Sequence, residues 1–252
     1  MDFKNKHVLI TGASRGIGKA TALAFAAQGA KVGVNFKRNH EEAKKTLKEL
    51  EGKGHRLFQY DVADKTMQEA LINDFISVYG TIDVLVNNAG ISIDHDIEET
   101  DFEEWFAAWE NTFQTNLFAA ANLSFLAAKQ MMTSGGGNIV NVSSRGAFRG
   151  EPTKPAYGAS KAALNAMTQS LAKRLAPHKI YLGVVAPGFT ETDMAAKTLT
   201  PVERENLLRE SPFKRMAQPE EVAHAILFLA SDGAAYSSGS IIDVNGASYL
   251  RS

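Results

Sequence analysis

The 252-residue chain contains no cysteine. That absence removes disulfides, thiolate metal sites and thiol nucleophiles at once. No charge sign dominates: 27 Lys and Arg stand against 28 Asp and Glu, a net charge of −1. There is thus no global electrostatic case for nucleic acid or an anionic membrane as partner. No run approaches the ~18 consecutive apolar residues of a membrane span. The first strand-like run begins at Val8, which leaves no room for a signal peptide, so a soluble cytoplasmic protein is expected. No internal repeat or low-complexity linker is present. The six histidines, His7, His40, His55, His95, His178 and His224, lack the paired spacing of a metal site and read as a scattered surface set. No metal is expected. Ser144 has no histidine near it in sequence and no G-x-S-x-G elbow, which argues against a hydrolase triad.

What is present is an alternation. Short β-branched runs at Val8 to Ile10, Lys31 to Val34, Leu57 to Tyr60, Val84 to Val86, Asn138 to Val142, Tyr181 to Ala186 and Ser240 to Val244 are separated by helical patterns. The pattern predicts an α/β fold, a doubly wound parallel sheet of seven strands with right-handed crossovers and helices on both faces. At this length such a fold often forms one unit, so residues 1–252 are read as a single domain. Gly135 to Gly137 read as a helix-to-strand turn. The sequon Asn141-Val142-Ser143 falls in an expected buried strand and is discounted. The acidic run Glu98 to Glu104 reads as a loop and first helical turn, where acids favour the helix dipole.

Residues 11–18, Thr11-Gly12-Ala13-Ser14-Arg15-Gly16-Ile17-Gly18, stand between the first strand and the first helix. Glycines there let backbone approach a pyrophosphate, and the helix N-terminus offers unpaired N–H groups. The spacing G-x-x-x-G-x-G departs from G-x-G-x-x-G, and a merely tight strand-to-helix turn is the alternative. Further on, Tyr157 lies four residues ahead of Lys161, which puts both on one helix face. A cation there favours the phenolate. Tyrosine titrates near ~10, so proton exchange at neutrality needs roughly 4 kcal/mol of differential stabilisation. An exposed pair without chemistry is the alternative. In a parallel sheet, ligands bind beyond the carboxyl ends of the strands at the switch in strand order, and that rule gathers these motifs in one crevice.

The motifs together resemble the short-chain dehydrogenase/reductase family in its single-domain form. The resemblance rests on the glycine motif, Asn87-Asn88-Ala89-Gly90, Asn116 in Gln114-Thr115-Asn116-Leu117, Ser144, the Tyr157/Lys161 pair, and Pro187-Gly188 followed by Thr192. It implies a Rossmann-like sheet and an oxidoreductase that interconverts a ketone and a secondary alcohol by hydride transfer. Tyr157 is then the proton donor and acceptor, Ser144 binds the substrate oxygen, and Lys161 binds the nicotinamide ribose and lowers the Tyr157 pKa. Asn116 anchors a water on the proton path. The implied cofactor contacts are Gly12, Ser14, Arg15, Gly16, Ile17, Gly18, Asn88, Ala89, Gly90, Pro187, Gly188 and Thr192, with Asp61 and Val62 near the adenine. Asp61 as a helix N-cap is the alternative.

An NAD site usually presents an acid about 20 residues after the glycine loop, whereas NADP needs a cation for its 2′-phosphate. Here the second strand runs out through Lys37 and Arg38, no acid appears until Glu41, and Arg15 adds a cation within the loop. The expected cofactor is NADP(H).

The stripe Phe102, Trp105, Phe106, Trp109, Phe113, Leu117 has helical spacing. It reads as core alone or as core plus interface, and the resemblance implies a homotetramer. Val185 to Met194 resemble 3-oxoacyl-acyl carrier protein reductases. Two places depart from them: Thr133, Ser134 and Gly135 to Gly137 where basic residues are expected, and His178 where arginine is common. The small-molecule carbonyl or alcohol is therefore a 3-oxoacyl thioester, or else a sugar, polyol or other free alcohol. A dinucleotide-binding regulatory protein without turnover is the alternative from another class. The segments Ile91 to Thr100, Arg145 to Lys154 and Thr190 to Met216 are expected to line the substrate pocket.

Overall fold

The computed structural model describes residues 1–192 and 201–251. Seven parallel strands, β1 (His7–Ile10), β2 (Lys31–Phe36), β3 (Arg56–Gln59), β4 (Val84–Asn87), β5 (Gly137–Val142), β6 (Ile180–Pro187) and β7 (Ile241–Val244), form one sheet in the order β3-β2-β1-β4-β5-β6-β7. The strand order reverses between β1 and β4, where Val8, Leu9 and Ile10 pair with Val84, Leu85 and Val86.

Strand side chains alternate between the two faces of the sheet. Val8, Ile10, Val32, Val34, Val84, Val86 and Val140 point to one face. They pack there against Phe25 and Ala26 of α1 (Gly16–Ala27), Leu47 of α2 (His40–Glu49) and Val222 and Ile226 of a helix late in the chain, Pro219–Ala230. Leu9, Leu85, Ile139 and Leu182 point to the other. They meet Leu71 and Phe75 of α3 (Lys65–Tyr79), Leu123 and Met131 of α5 (Ala119–Ser134) and Leu175 of α7 (Pro155–Leu175). Each such apolar side chain contributes roughly 1.5–3 kcal/mol on burial, so the two clusters fix the register of the sheet. Between them in sequence lie α4 (Phe102–Phe113), the short α6 (Gly146–Arg149) and α8 (Pro201–Glu210), and the Pro219–Ala230 helix becomes α9.

The structure moves several boundaries. β2 continues through buried Asn35 and Phe36, β3 stops at Gln59, and β7 starts after Ser240. The glycine turn stands as expected: Gly135 caps α5 at φ 97° and Gly136 lies at φ 127°. Asp101 caps α4, accepting from the Glu104 N–H at 2.8 Å. His40, His178 and His224 are exposed and His7 is partly so, but two histidines leave the surface. His55 and His95 are buried, each holding a neighbouring segment: His55 Nδ1 accepts from the Val32 N–H at 3.1 Å and His95 Nε2 from the Ala156 N–H at 3.2 Å. The aromatic stripe is not core alone: Phe102 is 75% and Phe106 50% exposed.

Candidate active site

At the switch between β1 and β4, the glycine loop is held by groups from two other strands. Gly12 (φ 62°) and Gly16 (φ 55°) adopt the left-handed region that glycine alone enters freely. Thr11 Oγ1 accepts from the Asn88 and Ala89 N–H groups, each at 3.0 Å. Asn88 Nδ2 donates to the carbonyls of Thr11 at 2.9 Å and Gly12 at 3.2 Å. A Cβ on Gly18 would lie 2.5 Å from the Gly12 oxygen and 2.6 Å from Asn88 Nδ2, and one on Gly12 would lie 3.0 Å from Ala89 Cα. Only hydrogen fits at these places. Thr192 closes the other side, since a Cβ on Gly16 would lie 3.3 Å from its methyl. Arg15 caps α1 with extended backbone, makes no side-chain cap bond and is exposed, while Ser14 offers its carbonyl to Thr46 Oγ1 at 3.0 Å. The α1 N-terminus, with its orphan N–H groups and a glycine-lined approach, fits a dinucleotide pyrophosphate.

The second group gathers beyond β4 and β5. The helical run from α4 to α5 widens into a π turn at Gln114–Phe118, a distortion frequent at functional sites. Buried Asn116 sits in it. Its Oδ1 accepts from the Ile91 N–H at 2.8 Å, and its Nδ2 donates to Ile91 O at 2.9 Å and to Ser160 Oγ at 3.2 Å. Gly90 lies between Asn116 and Lys161: a Cβ there would sit 3.3 Å from Asn116 Oδ1 and 3.4 Å from Lys161 Nζ. Ser144 follows β5, its Oγ accepting from the Gly146 N–H at 3.0 Å, and it lies close enough to the Tyr157 phenol to act against the rise in that group's pKa. Ser143 turns away to Lys161 O at 3.2 Å.

Tyr157 and Lys161 share a face of α7. Lys161 is 4% exposed, and its Nζ donates to Val142 O at 2.8 Å. Burial pushes its pKa down to about 8. Tyr157 is held above the ordinary phenol value by burial, opposed by the Ser144 hydrogen bond and reinforced by the charge of Glu151. Lys161 Nζ lies 5.8 Å from the Tyr157 ring centroid and donates to Val142 O, and the net effect of the surroundings on Tyr157 is upward, with burial outweighing what lowers it.

The ends of β2 and β3 carry the third group. Lys37 pairs with Asp61, and Asp61 Oδ1 also accepts from the Ala63 N–H at 3.0 Å. Asp64, not Asp61, caps α3. Arg15 and Arg38 are exposed and form no salt bridge among the described residues. Val62 is buried in the core beside α3, its carbonyl accepting from Gln68 Nε2 at 2.7 Å. At the far end of the crevice Pro187 O accepts from the Arg145 N–H, and Gly188 N–H donates to Val244 O, both at 2.9 Å. Of the expected pocket wall from Thr190 to Met216, positions 193 to 200, Asp193 and Met194 among them, lie outside the described residues.

Sequence reasoning missed the asparagines inside strands. Buried Asn35 in β2 donates to Phe58 O at 3.1 Å and Tyr60 O at 3.0 Å, while its Oδ1 accepts from the Gly12 N–H at 3.4 Å. Asn87 donates to Asn141 Oδ1, and Asn141 to Thr168 Oγ1, each at 2.8 Å. Asparagine is depleted in strands, so three of them near strand ends were the available signal.

These features define a nucleotide-dependent oxidoreductase fold, and comparison agrees. A short chain dehydrogenase family model matches residues 6–202, and the chain belongs to that family. Over 247 residues it is 38% identical to the 3-oxoacyl-acyl-carrier-protein reductase FabG of Staphylococcus aureus strain Mu50, covering 97% of this chain and 98% of that one. It is 40% identical over 248 residues to the FabG of Thermotoga maritima, covering 98% of each. A crystal structure of a protein from Sinorhizobium meliloti 1021, itself assigned only by likeness as a short-chain alcohol dehydrogenase, superposes with a TM-score of 0.90 at 33% identity, covering 98% of this chain and 97% of that one. The protein is accordingly a dehydrogenase/reductase acting on CH–OH with a nicotinamide dinucleotide.

Proposed function

We propose that the protein is an NADP(H)-dependent carbonyl reductase, working in the cytoplasm as one catalytic domain, with a 3-oxoacyl thioester as its leading substrate class. The observation that carries the reading is the gathering of Ser144, Tyr157 and buried Lys161 beyond β5, next to the glycine cradle. When bound, the dinucleotide supplies the hydride. Tyr157 passes its proton to the carbonyl oxygen and takes it back in the reverse direction. Ser144 donates to the same oxygen and offsets its developing charge. Lys161 holds the ribose hydroxyls, and Asn116 fixes the Ile91 segment that faces it. Arg15 and Arg38 are the free cations for a 2′-phosphate, with Lys37 shared with Asp61.

The exposed Thr133, Ser134 and His178 leave the neighbouring surface less basic than an acidic carrier requires, which favours a free ketone, sugar or polyol as the second reading. A nicotinamide-absorbance screen of 3-oxoacyl thioesters, simple ketones, sugars and polyols, with both cofactors in parallel, tests the proposal. Turnover of the thioester with NADPH well above that with NADH is expected. A charge-assisted bond contributes roughly 1.5–3 kcal/mol, so one such contact gives about tenfold or greater discrimination. Equal or tighter NAD(H) binding overturns the cofactor assignment, and unchanged NADP(H) affinity in Arg15→Ala removes Arg15 from it.

A further inference from the structure

Between β6 and α9 the chain leaves the sheet and returns. The base of this excursion is pinned where Glu191 N–H donates to Ala217 O at 2.8 Å and Ala217 N–H to Phe189 O at 3.0 Å. α8 belongs to it. Arg145, the residue directly after Ser144, reaches into it from the other side of the site. Its side chain is 3% exposed. The guanidinium lies 4.7 Å over the Phe189 ring, donates to Glu210 Oε2 at the end of α8 at 2.7 Å, and donates to Ser248 Oγ in the C-terminal segment at 2.7 Å. Arg149 of α6 donates to the same Glu210 oxygen at 2.9 Å. A cavity of about 150 Å³ lies at this junction, lined in part by Arg145, Phe189, Leu207, Phe213, Met216 and Ser248.

A buried guanidinium is costly, and apolar packing of the same volume is often no less stable. Stability alone therefore does not account for an arginine here. What the arrangement provides is directional attachment of two distant segments, residues 201–216 and 245–249, to the loop that carries Ser144.

We propose that Arg145 is a positioning residue: through Glu210 and Ser248 it fixes α8 and the C-terminal segment against the Ser144 loop, setting where a carbonyl substrate lies relative to Ser144 and Tyr157. The inference rests on the reading of Ser144 and Tyr157 as the reacting pair. It predicts that the tie affects substrate use and changes dinucleotide binding little, since the glycine cradle that fits the pyrophosphate follows β1, away from Arg145.

The test compares Arg145→Met, Glu210→Gln and the double variant by amide hydrogen exchange over 201–216, by NADPH affinity from fluorescence titration, and by kcat and KM separately. Both single variants are expected to speed exchange in 201–216 and to lower kcat/KM, with Arg145→Met losing about tenfold or more, while NADPH affinity stays within about twofold. The double variant should be only slightly worse than Arg145→Met, because their shared contact is already lost there and only the more exposed Arg149–Glu210 pair remains to be removed. Unchanged exchange in the variants, or effects on kcat/KM that multiply in the double variant, would overturn the proposal. If Arg145→Met does not fold, Glu210→Gln alone decides by the same exchange and kinetic readouts, since that carboxylate is 40% exposed. Should the wild type reduce no carbonyl at all, the functional reading fails, while hydrogen exchange still decides whether the tie exists.

Discussion

At the scale of single residues, the site separates two titrating groups by burial. Tyr157 is pushed above the ordinary phenol value and Lys161 below the ordinary amine value, to about 8. Tyr157→Phe removes the transferable proton and keeps the ring, so turnover should fall on the order of 10²-fold or more with NADPH affinity nearly unchanged. Steady-state kinetics alongside a cofactor titration checks this, and activity within a few-fold of wild type would exclude Tyr157 as the acid. Lys161 makes a prediction about stability. Below pH 8 both folded and unfolded chains carry its proton. Between about 8 and its ordinary 10.5 the folded protein sheds a proton that the unfolded chain retains, so rising pH favours the folded state. Wild type should gain on Lys161→Met through that window, by up to about 1.4 kcal/mol per pH unit. Paired urea melts of the unliganded proteins measure it. A difference that stays flat with pH would mean that Lys161 does not titrate low.

At the scale of elements, the glycine loop and the first helix work as one rigid piece because nothing larger than hydrogen fits between them. In Gly18→Ala the new methyl must push aside the Gly12 carbonyl or the Asn88 amide. Overpacking of this kind commonly costs about 1–3 kcal/mol, and here it displaces the cradle itself. Melting temperature and dinucleotide affinity should therefore fall together, and a drop in only one would separate the loop from the cofactor site. The loop was legible because glycine before a helix and β-branched alternation each have a single steric meaning. Asn88, Ser144 and the Tyr157/Lys161 pair are each weak signals by spacing, and it was their joint resemblance to the family that carried them. What escaped notice was set by partners far away in sequence. Asn35 looked like an ordinary residue in a strand, yet its amide joins the glycine loop to the end of β3. The π turn around Asn116 leaves no trace in periodicity. Arg145 read only as part of a pocket wall, because Glu210 and Ser248 lie 65 and 103 residues away. Lys37 looked free until β3 brought Asp61 beside it.

At the scale of the whole molecule, the helical run from α4 to α5 carries exposed aromatic side chains. Phe102 and Phe106 of α4, Phe118 of the π turn and Phe125 of α5 are 75%, 50%, 48% and 63% exposed. Scattered apolar residues are ordinary, but several exposed aromatics along one helical run, with Phe102 and Phe106 in ring contact at 6.4 Å, are characteristic of an association surface. We propose self-association through these residues, as in the homotetramer that the family resemblance implies, built on paired two-fold contacts. The combined change Phe102→Ser and Phe106→Ser should reduce the mass seen by light scattering at micromolar concentration, with little loss of melting temperature. A wild-type monomer would end this reading, and an unchanged assembly in the variant would move the contact elsewhere. Trp109 lies deeper, stacked on Phe113 with centroids 5.5 Å apart and its indole N–H without a hydrogen bond among the described residues, so its loss should affect the aromatic cluster before the assembly.

The pairing of β1 with β4 has a consequence for how the chain is made. Thr11 cannot hold Asn88 and Ala89 until some 77 residues more have left the ribosome. Until then β1 presents an open edge of unpaired backbone groups, and the glycine loop lacks half of its fastening. The dinucleotide half of the crevice is therefore not a module that the first third of the chain can complete alone. A nascent fragment ending before β4 should neither bind nucleotide nor resist protease, and both properties should appear only in chains that extend past Gly90.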